Sequence, residues 1–549
     1  MERYGDIPNE DRALHALNRL AFGPRPGDLE TVRAMGVERY VDLQLHPESI
    51  AIPESLVDQI RSYRTLSMSA PALFAEFQRP IMETRRENKG GDKAEGKDAI
   101  KEALERQRIV MLEAVEARIV RAIEGTRQLQ EVMTNFWFNH FNIFAAKGLD
   151  NIWTGSFEQL AIRPHTMGKF RTLLGATAKH PAMLFYLDNW QNTAPGSTGT
   201  RKNFEGINEN YARELMELHT LGVSGGYSQN DVIALAHILT GWGLPKPAGG
   251  GAGGGGGKKN LRGLFGGGGG RRGPWGLAGA PVQSTSGFYF DPQRHDFSSK
   301  TLLGHTIEGS GVEEGEQALD LLARSPATAN HLSFQLAQYF VADVPPKPLV
   351  SRMTARYLET DGDIRAVLQT MFTAPEFWDR RYYRAKFKTP YEYVISCARA
   401  TSVPITNYRP LYGTMALLGM PLYGCLTPNG YANTEDSWLN PDAMMTRLSF
   451  VTALGNGNLP LDRPPFEENS SAGVRVPPRV VNKRGAAAGV KFDADPDKPK
   501  AHQMTPLDPG AVAATLGGRF SSSTANALEA AEPRLRAALM LGSPEFMRR

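Results

Sequence analysis

Apolar residues recur at helical spacing along most of this chain while strand-like alternation is almost absent, and that imbalance confines it to an all-α fold. Asp11–Ala21 opens an amphipathic helix, and Gly27–Leu45 reads as two shorter helical pieces around Gly36. Residues 88–107 are crowded with charge and read as an exposed loop running into a helix from about Ala103 to Gly125. Glu131–Phe141, Ser156–Ala178, Asn208–Leu221 and Ser228–Trp242 keep the same period, the last opening on Ser228 and Asp231 as an approximate capping box. Only Phe288–Phe290 and Thr301–Leu303 look strand-like, and they could pair briefly. The expectation is a large multi-helical globular domain with minor short strands and loop insertions.

Two stretches interrupt the periodicity. Lys246–Gly273 carries long glycine runs broken by Lys258, Lys259, Arg262, Arg271 and Arg272, with no acidic residue. Ordering such a segment costs much backbone entropy and buries little, so a flexible insertion is expected. Its cations beside Phe265 and Trp275 also resemble the basic-aromatic composition of single-strand binders, which makes contact with an anionic polymer the alternative. Residues 467–511, rich in Pro, Gly, Ala and charge, read as a weakly ordered linker, with helix resuming at about Ala525. The chain thus divides into a main helical domain at 1–466, the linker, and a helical segment at 512–549 that packs on the main domain. Met371–Arg380 also echoes Met540–Arg549, each with a Pro-Glu-Phe core whose proline sits at an expected first helical position.

The segment NENYARELMELHTLG, Asn208–Gly222, puts a carboxylate where a helix should carry hydrocarbon. At about 100° per residue, Tyr211, Leu215, Leu218 and Leu221 share one arc and Glu214 lies near its centre. A carboxylate there must be paired or protonated, which makes Glu214 either a buried ion-pair member or a candidate acid, base or metal ligand. Asn210 and Glu217 share its stripe, and Arg213 stands four residues before Glu217 as an ion-pair partner. His219 falls about 140° from Glu214, too far round the helix to share an ion with it, and reads as a satisfied core histidine.

Two further motifs place histidines in unusual company. NFWFNHFN puts Asn135, Asn139 and Asn142 on one stripe and His140 among aromatic rings, where an imidazole stays neutral unless paired. In FYFDPQRHD, Asp291, His295 and Asp296 fall in an expected loop, where Asp296 could orient His295 or both could bind a divalent metal. The candidate catalytic set is therefore Glu214, His140, His295 and Asp296, with a divalent metal as candidate cofactor.

Charge and composition close off several classes. Sixty-two Lys and Arg against fifty-eight Asp and Glu leave +4, too little for a general preference for nucleic acid or anionic membranes. Cys397 and Cys425 are the two cysteines, enough for one bridge or two free thiols but not for a multi-cysteine metal site. No apolar run approaches the roughly 20 residues that span a bilayer. The start MERYGDIPNEDRALHAL lacks the basic and apolar regions of an export signal, which leaves a cytoplasmic protein and a mature exported one both open. No nucleophile elbow, Walker loop, dinucleotide fingerprint, helical zinc motif or calcium loop occurs.

Nine ordered motifs together resemble the bacterial family known as domain of unknown function 1800: HALNRLAFGPRPGDL, NFWFNHFNI, NENYARELMELHTLGV, DVIALAHILTGW, the HDF–K–LLG segment, SPATANHLSFQLAQYFV, KTPYEYVISCARA, TPNGYANTEDSWLNP and the terminal LGSPEF. The resemblance implies a helical architecture, a periplasmic or secreted location, and a co-encoded secreted protein as partner. It assigns no catalytic residue, and the Gly-rich insertion departs from the family pattern. Two functions follow as expectations. One is an extracytoplasmic hydrolase using metal-assisted or general acid/base chemistry on a polymeric or envelope substrate. The other is a non-enzymatic envelope binding or assembly protein, suggested by the aromatic residues of Asn429–Trp438.

Overall fold

The computed structural model describes residues 5–87, 95–198, 206–244, 282–462 and 504–549. The insertion Lys246–Gly273 and residues 467–503 of the expected linker lie outside the described residues. The fold is mostly all-α, and its only sheets among the described residues are two small antiparallel ones. Buried side chains form one hydrophobic cluster that reaches from Ile7 to Met547, so residues from both ends of the chain share a core.

Several boundaries differ from the sequence reading. A 30-residue helix, Glu95–Glu124, starts well before Ala103. Its charged first turns are held by pairs one turn apart, Glu105 with Arg108 and Glu102 with Arg106, which suit an exposed helix as well as a loop. Helix resumes at Pro509–Thr515, ahead of Ala525, because Asp508 accepts the N–H groups of Gly510 and Ala511 and proline supplies the first helical residue. The capping box at Ser228 and Asp231 is present. In the internal echo, Pro375 and Pro544 do not begin helices; they follow the helices Ile364–Phe372 and Pro533–Leu541. Each copy then ends in an antiparallel bridge, Asp379 to Asp6 and Arg548 to Phe387, so the repeated unit is a helix exit onto a short bridge.

The strand-like segments find separate partners. Tyr289–Phe290 is the centre of a three-stranded sheet between Trp242–Gly243 and Val282–Gln283. Lys300–Leu302 instead folds back on His305–Ile307, because Leu303 (φ 50°) and Gly304 (φ 79°) form a two-residue turn of the hand that matches strand twist. No helix among the described residues is long and apolar enough to cross a membrane.

Candidate functional site

The helix Gln128–His140 is buried on nearly every face, so its polar side chains must find partners inside the protein. Asn135 accepts from Arg118 at 2.8 Å and donates to the Tyr339 hydroxyl at 3.3 Å. Asn139 makes a two-way bond with the Tyr431 backbone, donating at 2.9 Å and accepting at 2.7 Å. Asn142, two residues past the helix end, donates to the carbonyls of Cys425 and Thr427 at 3.1 and 2.8 Å. The asparagine stripe therefore straps down the segment 425–431, almost three hundred residues away in sequence. Gly430, at φ +70°, lets that strap close, because a Cβ there would collide with the Asn139 carbonyl.

Under the stripe lies a buried ion network. Glu158, 1% exposed, takes Arg118 at 3.1 Å, Arg163 at 3.2 Å and the Tyr423 hydroxyl at 3.0 Å, while Glu131 takes Arg163 at 2.6 Å. Burial pushes the Glu158 carboxyl upward, but the two guanidiniums and the phenol outweigh it and hold the group below its usual range.

Against the strapped segment sits a cluster of a different kind. Tyr186 donates to the Leu426 carbonyl at 2.9 Å. Its phenol is pushed up first by burial and then by Cys425, Asp150 and Glu214. Asp150 is 0% exposed, and neither of its carboxylate oxygens has a partner. Burial raises it well above the usual carboxylate range; Lys147 pulls it down and Asp188 pushes it further up. A carboxyl in this setting favours its neutral form. Lys147 is committed elsewhere, bonding the Tyr186 carbonyl and pairing with Asp188 at 2.9 Å.

Glu214 stands on the helix Glu209–Glu217, whose start is fixed by Asn208 capping Asn210 at 3.0 Å. Asn208 and Asn210 also donate to the carbonyls of Asp188 and Leu187, at 3.3 and 3.2 Å, which docks this helix on the Tyr186–Asp188 segment. The Glu214 carboxyl is half-buried and has no ion pair or hydrogen bond among the described residues. It is not the buried ion-pair member that the sequence allowed. Burial raises it, Glu217 raises it further, and Arg213 opposes both. Arg213 does not pair with Glu217 as expected; it turns back to Glu209 at 3.1 Å and to Gln229 at 2.9 Å, since both lie within reach on the exposed side.

The other three candidates lie elsewhere. His140 donates from Nε2 to the His219 carbonyl at 3.1 Å, and its Nδ1 lies 2.9 Å from the Gln335 side chain. Burial, with His331 nearby, pushes its imidazole down to about 3. His219 is buried as expected, but its Nε2 has no partner, so it is not fully satisfied. His295 is held by Glu314 at 2.7 Å on Nε2 and by the Thr240 carbonyl at 2.8 Å on Nδ1. Glu314 also takes Lys300 at 2.7 Å. Asp296 therefore does not orient His295; its carboxylate turns to His237 at 2.7 Å, because Glu314 already occupies the ring. No hydrogen bond, ion pair or ring contact among the described residues joins Glu214, His140 and His295 to one another.

Both cysteines are free and buried. Among the described residues no group of three or more His, Cys, Asp or Glu could hold a metal ion, so the candidate divalent metal finds no donor set there. Aromatic residues of the 429–438 stretch turn inward, with Trp438 donating to the Ala432 carbonyl and Tyr431 to that of Pro421, both at 2.9 Å. An open cleft of about 930 Å³ is lined by Leu221 and Gly225–Gly226, beyond the Glu214 helix, and by Gln317 and Arg324; Glu214 does not line it. Tyr227, next to that glycine pair, is raised first by burial and then by Glu217, with a smaller push from Glu214.

The sequence missed Asp150, Tyr186, Lys147 and Asp188. Asp150 opens a helix of seven residues, too short to show an amphipathic pattern, so no periodic signal marked it.

Residues 15–548 match a family model described as Protein of unknown function (DUF1800), and the chain belongs to that family. No curated protein and no solved structure matches the chain.

Proposed function

We propose that this member of the family of unknown function 1800 is a hydrolase using general acid/base catalysis on a polymeric substrate of the cell envelope, and that it works outside the cytoplasm. Glu214 is the catalytic residue in this reading, and the observation that carries it is a half-buried carboxyl with no partner among the described residues. A carboxyl raised by burial and a like-charged neighbour keeps its proton to higher pH than a free carboxylate, which suits it to proton transfer. Asp150 and Tyr186 are positioning residues in this reading, a carboxyl and a phenol that burial pushes up. His140 is a positioning residue as well, because it holds the His219 carbonyl just past the Glu214 helix. His295 and Asp296 keep the adjoining segment in place through Glu314 and His237. The export typical of the family supports the envelope as the place of action.

Turnover of labelled peptidoglycan and envelope polysaccharides by the wild type and Glu214→Gln tests this. The expected result is wild-type cleavage of one polymer class and a loss of about 10²-fold or more in the variant, the usual worth of a positioned acid/base group. Undiminished turnover in Glu214→Gln overturns the assignment. No turnover on any polymer, together with stoichiometric co-purification of a secreted partner, favours the assembly-protein reading instead.

A further inference from the structure

Lys300 begins the strand Lys300–Leu302, and Glu314 stands in the first turn of the helix Val312–Arg324. Their side chains meet in the interior with Nζ 2.7 Å from Oε2, the lysine side chain 5% exposed and the glutamate 0%. The lysine also donates to the Asp296 carbonyl. The other carboxylate oxygen, Oε1, faces two donors, the Gly311 N–H at 3.0 Å and Nε2 of His295 at 2.7 Å. That ring is fixed from behind, because Nδ1 donates to the Thr240 carbonyl at 2.8 Å. The Thr240 hydroxyl, 3.2 Å from the same nitrogen, spends its own proton on the His237 carbonyl at 2.6 Å. Both ring nitrogens therefore face acceptors, and both donate.

An amine held against one oxygen of a carboxyl, with two N–H donors on the other, is the arrangement that amide formation needs. Oε2 is one bond from the carboxyl carbon, so the contact at 2.7 Å sets the nitrogen beside the atom it would attack. Donors at 2.7 and 3.0 Å from Oε1 stand where an oxyanion hole holds developing charge. Water, which drives such a condensation backwards, is kept out. The Glu314 and His295 side chains are both fully buried, and the rings of Phe290 and Phe297 meet the imidazole edge-on at 5.2 and 4.7 Å. Keeping an ammonium and a carboxylate in such a place costs desolvation that their attraction only partly offsets, whereas an amide carries no net charge.

From the buried contact of amine and carboxyl and the two donors on the far oxygen, we propose that Lys300 and Glu314 are the site of an intramolecular isopeptide bond. A proton passes from Nζ to Oε2, and the nitrogen lone pair attacks the carboxyl carbon. A C–N bond forms as the C=O π pair moves onto Oε1, where Gly311 and His295 hold it. A second proton goes from nitrogen to Oε2, the C–Oε2 bond breaks, and Oε2 leaves as water while the pair on Oε1 restores the C=O bond. One ammonium and one carboxylate become one amide and one water, with no change of oxidation state and no co-reactant. The bond ties the hairpin to the helix Val312–Arg324. Leu303–Ile307 from the first and Gln317 and Arg324 from the second line the open cleft, so two of its walls become covalently joined. The site is separate from Glu214 and stands whether or not that residue is catalytic.

Intact mass spectrometry of the denatured full-length chain should find it lighter than its sequence by one water molecule. Trypsin should leave residues 295–324 as a single peptide, uncut after Lys300 and lighter by that same water. Further cleavage after Glu308 should leave its two parts joined through the side chains. Lys300→Met should show the full mass of its sequence. If Lys300→Met fails to fold, the peptide map of the wild type decides alone. A wild type of full mass that trypsin cuts after Lys300 overturns the proposal and leaves the pair as an ion pair only. A water lost elsewhere in the chain, with Lys300 still cut, overturns it as well.

Discussion

Glu214→Gln and Glu158→Gln remove the same charge from two glutamates of one fold, and their surroundings demand opposite outcomes. Glu158 is 1% exposed and is shared by Arg118 at 3.1 Å, Arg163 at 3.2 Å and the Tyr423 hydroxyl. Its neutralisation leaves Arg118 with only Asn135 as a polar partner among the carboxylates and amides around it, whereas Arg163 keeps Glu131 at 2.6 Å. Breaking a buried pair by removing one partner costs about 3–5 kcal/mol. An unfolding entropy of about 2.1 cal/mol/K per residue over 549 residues means that each kcal/mol moves the midpoint by only about 1 °C. Glu158→Gln should therefore melt about 3–5 °C below the wild type at pH 7, and Glu214→Gln, which strands no partner, within about 1 °C of it.

The pH dependence separates the two further. The folded Glu158 carboxyl is held below its unfolded value, so its stabilisation is present above the unfolded value and is lost as pH falls through the folded one. Wild type and Glu158→Gln should converge in acid. Glu214 is raised, so the folded state is favoured below its unfolded value and that advantage is lost as pH rises through the folded one. Glu214→Gln should equal the wild type in acid and gain on it as pH rises. Differential scanning calorimetry from about pH 2 to about pH 8 resolves these shifts, since the Glu158 loss lies below the usual carboxylate range. A Glu214→Gln variant as damaged at pH 7 as Glu158→Gln would refute the reasoning, since Glu214 would then have to hold a buried charge in place.

Three other outcomes follow from single contacts. Asp150→Asn should match the wild type in acid and become more stable than it as pH rises, because a buried carboxyl raised well above its usual range loses its favourable neutral form there; calorimetry in the same pH series checks this. Glu314→Ala strands the buried Lys300 and removes the Nε2 contact of His295, and should cost about 3–5 kcal/mol in chemical denaturation. Gly430→Ala adds a Cβ against the Asn139 carbonyl at φ +70°, so limited proteolysis should cut the 425–431 segment sooner than in the wild type.

Helices were legible because their apolar period is a local property, and the boundaries that slipped did so where local rules compete. The charged start of Glu95–Glu124 satisfies loop and exposed helix alike, and Pro375 can begin a helix or follow one. Glu214 stood out because a carboxylate on an apolar arc is visible within nine residues. Its ion-pair alternative was decidable only in three dimensions. Asp296 beside His295 was the nearest partner in sequence, but Glu314, nineteen residues on, is the nearest in space. Asp150 left no trace at all, since nothing about one acid at the head of a short helix tells that its oxygens will be buried without partners.

Stability and chemistry are separated along one continuous line of contacts. The Glu158 network fixes Arg118, Arg118 fixes Asn135, and the same helix then carries Asn139 and Asn142 onto the 425–431 segment. That segment supplies the Leu426 carbonyl to Tyr186, whose phenol burial, Asp150 and Glu214 all push up. Glu158, Arg118, Asn135, Asn139 and Asn142 on the first part of the line each have a partner, as a rigid support requires. The carboxyls of Asp150 and Glu214 at its end are not. Leaving two carboxyls without partners lowers stability, and a fold that elsewhere matches Asn139, Asn142 and Glu158 so closely would have little reason to keep them unpaired unless something outside the chain completes their bonding.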